Sequence, residues 1–214
     1  MTGATAAADF PEWTGATPAG EPVDGWSYLP VAQRAVGVTG PWQPVTARDG
    51  ASPWTYLMKQ QEAAKDTTGQ AVVVHHRIGE GSVTSIHGNV FREYYNGHTP
   101  LLRDFIRGLI ERLRIDWEVQ VEGPPALEVV TRTQGEKLAV NLINRGAGEM
   151  LNPRRVQFDD LEPIERVTIT VRREDRPLSV SLEPGADPVQ WTWIDGVLSI
   201  TVPSVRIHDI VVVE

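Results

Sequence analysis

The sequence predicts a chain of the α+β class that is mostly β and ends in an antiparallel β-sandwich. Three observations predict it. The second half holds about eight short runs rich in β-branched residues, separated by Gly, Pro, Asn and Asp. The stretch AVVVHHRIGEGSV, residues 71 to 83, reads as strand, turn and strand. Residues 101 to 113 repeat apolar side chains at helical spacing.

From the N-terminus, residues 1 to 70 are punctuated by Pro and Gly, from Pro11 and Gly15 to Gly50 and Pro53. That spacing forbids long helices. Trp13, Trp26, Tyr28, Trp42, Trp54 and Tyr56 run through the same stretch, and disordered segments are poor in aromatics. The expectation is an extended segment lying on a folded body and pinned there by its aromatics, with a short helix over 56 to 65.

Residues 71 to 77 and 82 to 87 form a hairpin, with Glu80-Gly81 expected at the centre of its turn. Thr99 is placed to cap a helix, with Pro100 in the first turn. Leu101, Leu102, Phe105, Ile106, Leu109, Ile110 and Leu113 make one apolar face, and the hairpin is its nearest docking partner.

From Glu118 the apolar period changes. ALEVVTRT, KLAVNLIN, RRVQF, ERVTITVRR, LSVSLE, VQWTWI, VLSITV and DIVVV are the expected strands, preceded by a linker near 117 to 125. The domains are therefore 1 to 117 and 118 to 214. Asp195-Gly196 is a two-residue hairpin signal. It pairs Ile194 with Val197, Trp193 with Leu198, Trp191 with Ile200 and Val189 with Val202. The last three pairs share a face, which sends both tryptophans to the core.

Composition bounds the function. The 214 residues are 41% hydrophobic and 22% charged, enough for one large core or two small ones. A net charge of -8 gives no basic footprint for nucleic acid. No run approaches the roughly 20 apolar residues of a membrane span. The start, MTGATAAADF, lacks the basic and apolar regions of a signal peptide. The compartment is not fixed, with the cytoplasm favoured. Cysteine is absent, which removes disulfides, thiolate metal sites and cysteine nucleophiles.

Five chemistries remain to be weighed. His75 and His76 are consecutive in a strand, so they point to opposite faces and cannot grip one ion. His76 and His87 share a face, but a zinc site needs further ligands. RIGEGSV lacks phosphate-loop spacing and precedes a strand. Asp159, Asp160, Glu162, Glu93 and Asp104 include no marked pair at the roughly 5 to 9 Å that glycoside hydrolysis requires. Ser82 and Ser85 lie near histidine without a nucleophile-elbow motif. For stacking a sugar ring, Trp42, Trp54, Tyr94 and Tyr95 are the candidate contacts, against their alternative use as anchors. No catalytic residue, cofactor or metal is expected.

The order of features from Gln70 to Leu113 resembles the closing portion of an amidotransferase-like α/β domain. That domain is the β-galactosidase trimerisation domain of family 42 glycoside hydrolases and related α-amylase-type hydrolases. The resemblance rests on Arg77, Gly79-Glu80-Gly81, Val83 to His87, Gly88, Phe91, Tyr94 and Leu101 to Leu113. EVVTRTQGEKLAVNLINR and GVLSITVPSVRIHDIVVVE are similar to the first hairpin and last strands of the C-terminal β-sandwich in those enzymes. The resemblance implies a partial amidotransferase-like α/β unit over 1 to 117. It also implies that catalytic carboxylates lie on an upstream (β/α)8 barrel, which takes about 250 residues.

The expectation is a non-catalytic accessory or oligomerisation portion of a glycoside-hydrolase-like protein. Its partners would be further copies of itself, an upstream catalytic domain or carbohydrate, with no nucleic acid or membrane. The alternatives are a carbohydrate-binding sandwich module, for its seven tryptophans, and a small hydrolase using a His base or metal at His76 and His87.

Overall fold

The proline- and glycine-punctuated first segment does not lie on a folded body; it builds one. In the computed structural model, which describes residues 10–58, 67–146, 161–185 and 187–214, the chain forms two units, Met1–Ile115 and Asp116–Glu214. A short helix α1 (Phe10–Thr14) leads into β1 (Ala16–Pro18), β2 (Trp26–Val31), β3 (Arg34–Thr39), β4 (Val45–Ala47) and β5 (Ala51–Met58). These join β6 (Thr67–Ile78) and β7 (Gly81–Ile86) in one seven-stranded sheet. Its order is β1-β4-β6-β5-β2-β3, with β7 also paired to β6. The Pro and Gly residues that forbid helices suit turns between strands this short. The start of the expected 56–65 helix is strand instead, because Tyr56 to Met58 close β5. Residues 59–66 lie outside the described residues.

Every named pairing in this sheet is antiparallel. The amidotransferase-like α/β unit expected from the resemblance is thus replaced, among the described residues, by an antiparallel sheet carrying helices. The tight turns explain this. Val31 pairs with Arg34 and Ile78 with Gly81, and two-residue connections can join only antiparallel neighbours.

The hairpin turn is centred on Gly79-Glu80, one residue before the expected position. Gly79 has φ +58, so the glycine sits first in the turn, where a type II′ geometry demands positive φ. A centre at Glu80-Gly81 would place Glu80 there. The partners of each residue shift by two, so the faces are preserved: His75 opposes Thr84 and His76 opposes Val83.

Helices α2 (Val90–Gly97) and α3 (Pro100–Arg112) follow. Thr99 is extended at the N-cap of α3 and its carbonyl accepts from the Leu102 and Arg103 amides. Leu102, Phe105 and Leu109 are buried with Leu29, Val31, Val36 and Val38, so the helix docks mainly on β2 and β3. The 71–87 hairpin contributes Val72, Val73 and, at the margin, Ile86. Burial of each such side chain stabilises by about 2 kcal/mol.

The second unit contains β8 (Val119–Glu122), β9 (Leu127–Gln134), β10 (Lys137–Asn144), β11 (Ile164–Arg172), β12 (Val180–Glu183), β13 (Asp187–Pro188), β14 (Gln190–Ile194), β15 (Val197–Val205) and β16 (His208–Val213). They form a five-stranded sheet, β13-β12-β16-β10-β9, and a four-stranded sheet, β14-β15-β11-β8. Alternate residues of β10 and β16 (Leu138, Val140, Leu142, Val211, Val213) share one core with Val167, Ile169, Val171, Leu198, Ile200 and Val202 of β11 and β15. This period of two marks a two-sheet sandwich. The expected linker holds a strand, β8, and the RRVQF run lies outside the described residues.

The terminal hairpin has the expected register from Ile194↔Val197 through Gln190↔Thr201. Asp195 and Gly196 both have positive φ, as a type I′ turn requires. Trp191 and Trp193 point to the core but sit half-buried at its margin rather than within it, and Val189 packs beside them. Among the described residues no helix is long and apolar enough to cross a membrane.

Candidate functional site

His76 and His75 divide the two faces of the first sheet between them, and each face has its own chemistry. On the His76 face, α1 lies across β6 and β7. His76 Nδ1 is 3.2 Å from the Trp13 carbonyl. A carbonyl only accepts, so Nδ1 donates and Nε2 of the neutral ring keeps its lone pair. Gly15 (φ +65) lies so close that a Cβ would come within 2.7 Å of the His76 ring. Gly50 (φ +82) flanks Nε2, and a Cβ there would sit 3.7 Å away. The Arg48 amide donates to Gly15 O at 2.8 Å and the Ala51 amide to Arg48 O at 3.0 Å. The result is a cleft of about 300 Å³ lined by Glu12, Gly15, Arg48, Asp49 and His76.

Further along this face, Ser85 Oγ and His87 Nε2 are 2.9 Å apart. The hydroxyl also reaches Thr14 O at 3.5 Å and Val74 O at 3.4 Å. Burial alone lowers the His87 pKa, with no charged neighbour contributing. A nucleophile's base needs a third group to orient it, and here the pair lies under α1 and braces it. His87 is opposite Val72, donating its amide to Val72 O. It therefore stands four residues along the strand from the partner of His76, roughly 13 Å away. The two histidines share a face but cannot share an ion. Among the described residues no three His, Asp or Glu side chains converge as metal ligands.

On the opposite face, the β5–β6 register shifts at Trp54, which lies between Pro53↔Val74 and Thr55↔Val73. Trp54 stacks on His75 with centroids 4.2 Å apart and planes 11° apart. The Arg112 guanidinium lies 4.0 Å from the same indole and donates to Trp54 O. Two groups so near one centroid occupy opposite faces of the ring, so no face of Trp54 remains for a sugar. His75 Nδ1 meets Thr84 Oγ1 at 3.0 Å. Desolvation, then Arg112, Arg77 and His76, lower its pKa.

The other sugar-stacking candidates separate as well. Trp42 is fully buried. Gly88 lies against its ring, where a Cβ would come within 2.2 Å. A buried indole is no platform, so Trp42 takes the anchoring role instead of the sugar-contact one. Tyr94 packs against the core and tilts toward His98. Tyr95, 62% exposed, alone of the four keeps an open ring. Among the carboxylates, Asp104 pairs with Arg103, and Asp159 and Asp160 lie outside the described residues. Sequence reasoning passed over Glu12, Arg48 and Asp49. The available signal was the TARDG turn, a charged pair before a glycine that precedes a strand.

No family model and no curated protein matches the sequence. Solved structures do match. An α-L-fucosidase isoenzyme 2 from Paenibacillus thiaminolyticus matches with a TM-score of 0.71 and 18% identity, over 94% of this chain and 33% of its own. A β-galactosidase from Bacillus circulans sp. alkalophilus matches with a TM-score of 0.50 and 13% identity, over 96% of this chain and 25% of its own. The structural neighbours are glycoside hydrolases, and this chain spans only a quarter to a third of their length. At this identity the likeness is one of fold.

Proposed function

We propose that this chain is a non-catalytic accessory portion of a glycoside-hydrolase-like protein, serving assembly or the support of a catalytic domain. The observation that carries the reading is the asymmetry of the fold match: 94% of this chain corresponds to 33% of the fucosidase. A catalytic barrel needs about 250 residues, and among the described residues of the first unit every named strand pairing is antiparallel. The partner is a barrel domain or a second copy of the chain. The competing reading, a sandwich that binds glycans through tryptophan, has less support. Trp191 and Trp193 pack against the core, and Trp193 Nε1 donates to Arg173 O.

The test is turnover of aryl β-galactosides and aryl α-L-fucosides by the pure chain. The expected result is none above background. Hydrolysis that disappears in a Glu12→Gln or Asp49→Asn variant would overturn the proposal and put catalysis in the His76 cleft.

A further inference from the structure

We infer that the His76 cleft binds a small, neutral, hydroxyl-rich ligand, a single monosaccharide residue. Its volume of about 300 Å³ is at the lower end of ligand pockets and equals about ten waters at liquid density. One pyranose with its hydroxyls fits such a space.

The lining decides the ligand's chemistry. Among the lining residues, Glu12 and Asp49 bring acceptor-only carboxylates, Arg48 a donor-only guanidinium, and His76, whose Nδ1 faces the Trp13 carbonyl, an Nε2 that accepts while the ring is neutral. An anion would meet two carboxylates, and a simple cation would meet Arg48. A neutral polyol satisfies both kinds of group: its hydroxyls donate to the carboxylates and to Nε2, and its oxygens accept from the guanidinium. Vicinal hydroxyls suit this mixture because each donates and accepts.

The walls are also held in advance. The Trp13 carbonyl fixes the imidazole tautomer. Gly15 presses on its ring. The Arg48–Gly15 and Ala51–Arg48 backbone bonds hold the Arg48-Asp49-Gly50 turn in place. The backbone of the wall is thus set before binding, and the ordering cost falls on the Glu12, Arg48 and Asp49 side chains. The choice of saccharides among polyols rests on the accessory reading above; the hydroxyl-rich chemistry rests on the cleft alone.

The experiment is an NMR titration of the whole isotope-labelled chain with galactose, fucose and glucose, and with glycine as a zwitterionic control. The expected result is saturable binding of at least one sugar, with shifts at Gly15, Arg48 to Ala51 and His76. Asp49→Asn and Glu12→Gln should each weaken it about fivefold or more, the loss of one charge-assisted contact, with the melting temperature retained. Trp193→Phe should leave it unchanged. No saturable sugar binding, binding that survives both cleft variants, or preferential binding of glycine would each overturn the inference. A chain that binds no sugar and also hydrolyses no glycoside would sink this site while leaving the accessory reading intact.

Discussion

Asn144 is the buried polar hub of the second unit, and its removal has a cost that the structure sets. It lies at the end of β10 and is 6% exposed. Its Nδ2 reaches three carbonyls, Glu162 O at 2.8 Å, Arg206 O at 3.0 Å and Val205 O at 3.3 Å. Its Oδ1 accepts the Gly146 amide at 2.9 Å. Two amide protons make two full bonds, and the oxygen adds a third. At about 1 kcal/mol each, Asn144→Ala should cost about 3 kcal/mol. Asn144→Asp should cost more at neutral pH, because an acceptor-only carboxylate would face three carbonyls. Those carbonyls and burial would raise the pKa of the new acid, so its penalty should fade as pH falls through the raised folded value. The assay is equilibrium urea unfolding, with hydrogen exchange in β10 and β15 assigning the loss to this unit. A cost for Asn144→Ala well under ~1 kcal/mol, or an Asp variant no worse than Ala at neutral pH, would refute the hub.

Two further outcomes follow from the first unit. Gly79→Ala should destabilise by about 1 kcal/mol because Gly79 has φ +58, whereas Gly81→Ala should be nearly neutral, its Cβ meeting only Ile78 O at 3.7 Å. Thermal unfolding of both variants checks the turn, and a larger loss at Gly81 than at Gly79 would restore the Glu80-Gly81 centre. Burial lowers the His87 pKa from its ordinary 6.5, so the unfolded chain takes up that proton first. This part of the stability is intact above pH 6.5 and declines as pH falls below it. His87→Gln should make the acid slope of unfolding free energy shallower, with His75, also lowered, supplying part of the remainder; identical slopes would show that His87 is not responsible.

What the sequence disclosed tracks the range of the interactions involved. The α3 helix and the Asp195-Gly196 hairpin are written locally, in a 3.6-residue repeat and a two-residue turn, and both are found as expected. The first fifty residues misled because short strands between prolines carry little period-two signal. Pairing of Trp26–Val31 with Arg34–Thr39, and of Ala51–Met58 with Thr67–Ile78, makes them a sheet. Exposure of aromatics was illegible for the same reason. Whether Trp42 is buried depends on Gly88, and whether Trp54 is open depends on Arg112, which is 58 residues away.

The two adjacent histidines carry the lesson to its end. Alternation in a strand separates them correctly, and that local rule removes a shared ion. The rule says nothing of what each then meets. His75 falls on the face bearing α3, beneath an indole already capped by a guanidinium, so its chemistry is spent on packing. His76 falls on the face crossed by α1, where one nitrogen is held by Trp13 and the other is left beside Gly50 in a polar cleft. Residues 12, 15, 48, 49 and 76 meet there only because β1 pairs with β4 and Ala51 pairs with His76. A ligand site on this sheet is therefore a property of its topology, and a test of the site is also a test of that strand order.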